Sequence, residues 1–302
     1  MNRAICILGP TAAGKTTLAA HVAARLNGEV LSVDSRQIYR GMDLGTGKDL
    51  DDYDVDGHQI AYHLIDIVDP GYEYNLFEFK CAAVDALRDI LARDKLPILC
   101  GGTGLYLSAL IQDYALTSAP PNIERQRQLE QMTTDQLVKR LESFGPLHNR
   151  SDSSDRKRLV RAIEIAESDA SSRAPSSELD VTVFGLRWSR TTLRDRISRR
   201  LRQRLDEGLI EEVKRLLESG LTAEQLIFYG LEYRYVTEHL LGKTSASEMF
   251  GLLERAIHQF AKRQETWFRR MEKQGIEIQW LDATTGRESL VEQLLLAFST
   301  HE

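Results

Sequence analysis

The segment Gly9-Pro-Thr-Ala-Ala-Gly14-Lys15-Thr16 constrains this chain more than any other. It fits G-x-x-x-x-G-K-[ST], a loop whose glycines let the backbone curl so that its amides point at a phosphate. The apolar run Arg3–Gly9 before it reads as a short buried strand. The residues after it, through Leu26, read as a helix. A chance match in a tight turn would not need both neighbours. The helix N-terminus adds partial positive charge. Lys15 adds a full charge, and Thr16 a hydroxyl for Mg²⁺. The motif implies binding of a di- or triphosphate through Gly9, Thr11, Ala12, Ala13, Gly14, Lys15 and Thr16, but it does not imply hydrolysis. A nucleotide hydrolase usually carries an acid after a second apolar strand to hold the metal. Here Pro97–Cys100 runs into Gly101-Gly102 instead, and Leu64-Ile65-Asp66 is the weaker candidate for that role.

Val30–Val33 and Pro97–Cys100 read as further strands. Residues 80–94 read as an amphipathic helix with Val84, Leu87, Ile90 and Leu91 on one face. Strands alternating with helices predict an α/β protein: a doubly wound parallel sheet of the P-loop NTPase-like kind. The character changes after Asp113. Pro120-Pro121 is followed by helical periods without a clear strand, and Ser168–Ser177 is rich in Ser and Ala. We read 115–178 as a small helical insertion, and 1–114 with 179–302 as the catalytic core. Val181–Trp188 then reads as a strand returning to the sheet, and Arg190–Leu217 and Glu248–Gln274 as long helices. Ile276–Leu281 reads as a last strand.

A chain of 302 residues that is 42% hydrophobic can bury a large core and build about two domains. No apolar run approaches the roughly 20 residues of a membrane-spanning helix, and the N-terminus lacks the apolar core of a signal peptide. Three irregularly spaced cysteines suit reduced thiols and give no zinc spacing. The expectation is a cytoplasmic protein, off the membrane and monomeric. A net charge of −6 excludes a general polyanion binder. From Arg187 to Arg204, however, eight arginines accompany a single acid, Asp195. A nucleic acid would therefore meet local basic surfaces.

Ser32-Val33-Asp34-Ser35 closes the second strand. In a doubly wound sheet the carboxyl ends of strands line the ligand crevice, so Asp34 falls near the phosphate loop. Asp34 could cap a following helix or act as a general base; the local pattern leaves both open. Leu193, Ile197, Leu201 and Leu205 form an i, i+4 apolar stripe with Arg196, Arg200 and Arg204 beside it. That row is either a solvated basic face or a ligand-directed one.

SVDSRQIYRGMDLGTGKD (Ser32–Asp49) closely resembles the second signature of the tRNA dimethylallyltransferase family, and GPTAAGKT resembles its phosphate loop. Further similarity lies in HLIDIVDP (His63–Pro70), PILCGGTGLYL (Pro97–Leu107), RLVRAIEIA (Arg158–Ala166), DRISRRL (Asp195–Leu201) and AKRQETWFRR (Ala261–Arg270). These segments keep the family's order and span nearly the whole chain. The resemblance implies transfer of a dimethylallyl group from dimethylallyl diphosphate to the exocyclic amine of the adenosine 3′ of the anticodon, at position 37 of tRNA. It implies Asp34 as the base, with Lys15, Thr16, Arg200 and Mg²⁺ at the diphosphate and Thr103 at the adenine pocket. It further implies contacts to the anticodon stem-loop from Asp34, Ser35, Arg36, Gln37 and Thr103. Basic clusters at Lys157, Arg158 and Arg161 on the insertion, and at Lys262 and Arg263, would grip the tRNA backbone. It leads us to expect no zinc finger beyond the core.

The chain departs from the family pattern at several points. Asp49 stands where proline is common and opens an acidic run, Asp49–Asp56. Gln59–Tyr62 replaces a Pro-His pair. Phe228–Tyr233 replaces a glycine-tyrosine-basic signature, and His258 stands where arginine is common. The last two touch segments implicated in tRNA contact. An acidic run on the binding face would repel a phosphate backbone. Three other readings stay open. One is a prenyltransferase of free adenine nucleotide, as in cytokinin-forming enzymes, which would need no insertion. One is a P-loop kinase of a small metabolite, which would want the missing acid. One is a non-catalytic RNA-binding module, which would not need Lys15, Thr16, Asp34 and Arg200 together.

Overall fold

The computed structural model describes residues 2–144, 156–168 and 172–300. The first half of the chain runs β1 (Asn2–Leu8), α1 (Lys15–Leu26), β2 (Gly28–Val33), a hairpin of β3 (Asp54–Val55) and β4 (His58–Gln59), β5 (Tyr62–His63), α2 (Leu76–Ala92), β6 (Leu96–Gly101) and α3 (Gly104–Ile111). The insertion then contributes β7 (Thr117–Ser118), α4 (Ile123–Glu130), α5 (Thr134–Glu142), α6 (Arg156–Glu167) and β8 (Ser172–Arg173). The chain closes with β9 (Leu179–Arg187), α7 (Arg190–Asp206), α8 (Leu209–Glu218), α9 (Ala223–Phe228), α10 (Leu231–Leu240), α11 (Ala246–Lys273), β10 (Ile278–Asp282) and α12 (Arg287–Ser299).

The main sheet has six strands in the order β10-β9-β1-β6-β2-β5. Every pairing in it is parallel. A strand buried on both faces must be apolar throughout, and Ala4–Leu8 is fully buried. Successive side chains point to opposite faces. Ile5 and Ile7 thus join a core with Val22 of α1 and Leu294 of α12. Cys6 and Leu8 join one with Phe79 of α2, Leu107 of α3 and Phe268 of α11. This is the doubly wound α/β architecture the alternation predicted. A third core, built from α7, α8, α10 and the first half of α11, includes Leu201, Val213, Tyr233 and Leu253. The 28-residue α11 contributes to both this helical core and the sheet.

The chain divides into two compact units, 1–113 with 177–302, and 114–176. The second packs Leu129, Leu137, Leu159 and Ile163 into its own core. Its buried Glu164 accepts from the Asn122 amide and from Gln126 and Arg161.

Several elements differ from the sequence reading. The stretch Arg190–Leu217 is two helices, because Gly208 adopts φ +104° and ends the first while opening the second. The helix expected from residue 80 begins at Leu76, where Asn75 and Glu78 form a reciprocal capping box. The insertion carries a short antiparallel ladder, Thr117–Ser118 on Ser172–Arg173, where only helices were expected. Residues 169–171 of the Ser/Ala-rich stretch lie outside the described residues. Among the described residues no helix is long and apolar enough to cross a membrane.

Candidate active site

The carboxyl ends of β1, β2 and β6 open into a cavity of about 1250 Å³. Its lining unites Thr11, Ala12, Ala13, Gly14, Lys15 and Thr16 of the phosphate loop with Asp34, Ser35, Arg36 and Gln37 after β2. Thr103 after β6, Arg200 on α7 and Arg263 on α11 complete the predicted set found there. Gly9 stands behind this surface, where a Cβ would sit 3.3 Å from Leu186 Cβ. Lys262 is exposed on α11 and does not line the cavity. Lys157, Arg158 and Arg161 belong to the insertion unit. There Arg161 bonds Glu164 and the Ala119 carbonyl, so it braces its own unit.

The phosphate loop is an unusual backbone. Ala12 has φ 60° and Gly14 φ 89°, and only glycine takes the second value without strain. Its outward carbonyls are held by side chains: Trp188 Nε1 donates to Ala13 O at 3.0 Å, and Arg196 Nε to Ala12 O at 2.8 Å. Arg196 also lies over the Trp188 ring at 4.3 Å. The Thr11 amide donates to Gln264 Oε1 at 2.8 Å, and Gln264 Nε2 donates to Gly102 O at 3.0 Å. Gln264 therefore ties the loop to the β6 turn. Lys15 Nζ donates to the Pro10 carbonyl at 2.9 Å. Burial pushes its ammonium down to about 8.

Asp34 does not cap a helix. The segment after it is a chain of turns, and one carboxylate oxygen accepts the Arg36 amide at 2.8 Å. Thr103 Oγ1 accepts the Ser35 amide at 3.4 Å, which joins the β2 and β6 ends. That junction is tight: a Cβ on Gly101 would strike the Val33 backbone, and one on Gly104 the Trp267 indole. Gln37 accepts from Ser32 Oγ at 2.7 Å and donates to Gly47 O at 2.9 Å, so its amide braces the next loop. Arg36 lies 5.1 Å over the exposed Phe228 ring, within the divergent Phe228–Tyr233 segment.

That next loop, Asp43–Asp49, was legible only as a signature; its support was not. The amides of Asp43, Leu44 and Gly45 all donate to the Glu212 carboxylate at 2.8–3.0 Å, and Tyr233 Oη donates to it at 2.6 Å. Lys48 is fully buried and bonds Tyr39 O, Asp43 and Asp66. Asp66 is therefore a counter-ion for Lys48, not the metal-holding acid the sequence made it a candidate for. Asp49 pairs with Arg200, and its other oxygen lies 3.5 Å from Arg204 Nη2. Asp52 accepts from Thr17 Oγ1 at 2.9 Å. Two members of the acidic run thus face the cavity with partners in hand. Arg196 and Arg204 are not a solvated face: the first holds the phosphate loop, and the second is buried. Burial, reinforced by Arg204, disfavours the charged form of Arg200. A polyanion in the cavity would relieve that.

A phosphate-loop motif, a carboxylate at a neighbouring strand end and converging arginines on one cavity of a parallel sheet define a protein of the P-loop NTPase-like class. The IPP transferase family model matches residues 37–271. A tRNA dimethylallyltransferase 2 of Phocaeicola vulgatus is 52% identical over 294 residues, 96% of each chain. A tRNA dimethylallyltransferase 1 of Geotalea daltonii is 52% identical over 280 residues, 92% of this chain and 90% of that one. The crystal structure of the full-length tRNA isopentenylpyrophosphate transferase of Bacillus halodurans matches with a TM-score of 0.74 and 31% identity, covering 99% and 96% of the two chains. A eukaryotic dimethylallyltransferase acting on tRNA, 24% identical, shares the fold with a TM-score of 0.79, covering 99% of this chain and 79% of that one. This chain belongs to the IPP transferase family.

Glu212 gives a direct test of the loop's support. Glu212→Ala strands the buried Gly45 amide and Tyr233 hydroxyl and two part-buried amides, a buried donor left unpaired costing about 1–3 kcal/mol. We expect a loss of about 3 kcal/mol in urea unfolding, with weaker diphosphate binding, and partial recovery of both in Glu212→Gln. Unchanged stability in Glu212→Ala would remove Glu212 from this role.

Proposed function

We propose that the protein transfers a dimethylallyl group from dimethylallyl diphosphate to the exocyclic amine of the adenosine at position 37 of tRNA, releasing pyrophosphate. The observation that carries this reading is the placement of Asp34 and the phosphate loop on one cavity, in a chain of this family. The relatives and solved structures named above act on tRNA by their names.

The chemistry needs two things at once. The exocyclic amine is a weak nucleophile because its lone pair is delocalised into the ring. Its nitrogen forms a bond to the allylic carbon as the carbon–oxygen bond to the diphosphate breaks. Asp34 takes the amine's proton. Asp34 works by position, held at the end of β2 with one oxygen on the Arg36 amide. General-base help is typically worth about 10²–10⁴-fold. The electrons of the broken bond go to pyrophosphate, whose charge Lys15, the loop amides and Arg200 stabilise as it grows. Thr103 borders the adenine, and Ser35 and Arg36 meet the nucleotide or its neighbours. Gln37, committed to Ser32 and Gly47, shapes that floor from behind. The adenine must leave its stack to enter, at a few kcal/mol, least in an unpaired loop. The insertion, with Lys157 and Arg158, supports tRNA over a free nucleotide, which would need no such unit. Lys262 and Arg263 add positive charge along α11.

The donors at the loop suit Mg²⁺. Thr16 supplies a hydroxyl on the cavity that Asp34 and Asp52 also line. Among the described residues no group of three or more His, Cys, Asp or Glu could hold a metal ion. Mg²⁺ needs no such cage, since it keeps waters and binds through one or two protein oxygens plus phosphates. Thr16 would hold it with the diphosphate, where it would neutralise leaving-group charge.

In single-turnover prenylation of unmodified tRNA, Asp34→Asn should slow the chemical step by about 10²–10⁴-fold and leave tRNA affinity within a few-fold. Lost tRNA binding with an unchanged single-turnover rate would end the general-base role.

Lys15 makes the pH dependence explicit. Below about 8 its ammonium is charged; above it the ligand-free side chain is neutral. Affinity for dimethylallyl diphosphate should therefore fall as pH rises from 7 to 9.5, with proton uptake on binding. Calorimetry in buffers of different ionisation enthalpy reads both. A flat affinity without proton uptake would contradict it.

A further inference from the structure

Asp49 and Arg204 are not absorbed by the mechanism above. They meet at the diphosphate side of the cavity. The loop that carries Asp49 is fixed by Glu212 on the Asp43–Gly45 amides and by the buried Lys48. Asp49 itself has φ 46°, a conformation that aspartate adopts more readily than most residues. From that backbone its carboxylate reaches Arg200 Nη2 with one oxygen and approaches Arg204 Nη2 to 3.5 Å with the other. The two guanidiniums converge. A Cβ on Gly47 would come within 3.0 Å of Arg200 Nη2 and collide with Arg204. Side-chain exposure rises from 9% at Arg204 to 28% at Arg200 and 37% at Asp49. The anion is thus the most accessible member, and Arg204 the least.

Arg200 and Arg204 share the Asp49 carboxylate as a hydrogen-bonding anion, while Glu232, also on the cavity, acts on both through charge alone. We propose that the Asp49 carboxylate occupies the anion position on Arg200 and Arg204 in the ligand-free protein, and that the diphosphate displaces it there. This rests on the reading that a diphosphate binds the phosphate loop and Arg200. Arg204 is then a second cation of the diphosphate clamp. Asp49 is an internal competitor that keeps both arginines paired when the site is empty. The exchange swaps one anion for another, so the buried Arg204 and the half-buried Arg200 never stand unpaired. Its consequence falls on the last step: a carboxylate waiting beside the clamp weakens the hold on pyrophosphate and hastens its release.

The test is calorimetric titration of the full chain with inorganic pyrophosphate and Mg²⁺. Asp49→Asn removes the competing charge with little change in shape and should bind pyrophosphate about tenfold tighter, roughly 1.4 kcal/mol. Asp49→Ser should move in the same direction. Arg204→Gln should bind about tenfold more weakly, and adding Asp49→Asn to it should recover less than it gains alone. In turnover, pyrophosphate should inhibit Asp49→Asn at a correspondingly lower concentration. Unchanged or weaker pyrophosphate binding in both Asp49 variants would overturn the exchange, and unchanged binding in Arg204→Gln would remove Arg204 from the clamp. Lys15→Ala separates the two levels. If the parent binds pyrophosphate and Lys15→Ala binds it equally, the phosphate-loop reading fails and the exchange fails with it. If binding depends on Lys15 while the Asp49 variants do not tighten it, only the exchange fails.

Discussion

A loop that offers its amides to an anion has to put its carbonyls somewhere else, and the rest of this structure follows from how that is done. The carbonyls of Ala12 and Ala13 are held by Arg196 and Trp188, and the Thr11 amide by Gln264. These partners lie in the second half of the chain, beyond the insertion. The α11 helix that supplies Gln264 is anchored at one end in the helical core and at the other against the sheet. The phosphate loop is thus a local motif that the global fold keeps open. Isolated from Trp188, Arg196 and Gln264, it would lack the two donors that hold its carbonyls and the acceptor that holds the Thr11 amide.

The second ligand-facing loop obeys the same logic with the charges reversed. Residues 43–45 direct their amides onto a buried carboxylate, Glu212, so that the following residues can face the cavity. Lys48 points inward and is neutralised by Asp43 and Asp66. On the cavity side the loop then sets Asp49 against Arg200 and Arg204. Of the acidic run on that side, Asp49 is matched to arginines and Asp52 to a hydroxyl, while Asp51 lines the cavity exposed.

Much of this was legible in the sequence because the physics was local. Apolar runs buried on both faces gave β1, β2, β6 and β9, and the glycine–lysine loop between strand and helix gave one wall of the cavity. Position at a strand end put Asp34 on the cavity. Gly208 is the clearest lesson in the other direction. It sits inside a strong helical period, and its break was missed because the apolar stripe continues on either side. Glu212 gave no signal at all, and Gln264 was covered only as a member of the AKRQETWFRR signature, with no role of its own. Each is a polar residue on a helix, and its importance comes from backbone groups more than 160 positions away. The arginine row on α7 was ambiguous for the same reason: spacing shows that Arg196, Arg200 and Arg204 share a face, and only packing shows that the face is turned inward.

The central claim is that one cavity brings a diphosphate-bound prenyl group to an adenosine of tRNA. The most direct measurement is transfer of label from dimethylallyl diphosphate, with Mg²⁺, to unmodified tRNA in parallel with AMP, ADP and ATP. The account predicts label on tRNA, at the adenosine 3′ of the anticodon, and none on the free nucleotides. Label on the nucleotides alone, or on neither, would contradict it.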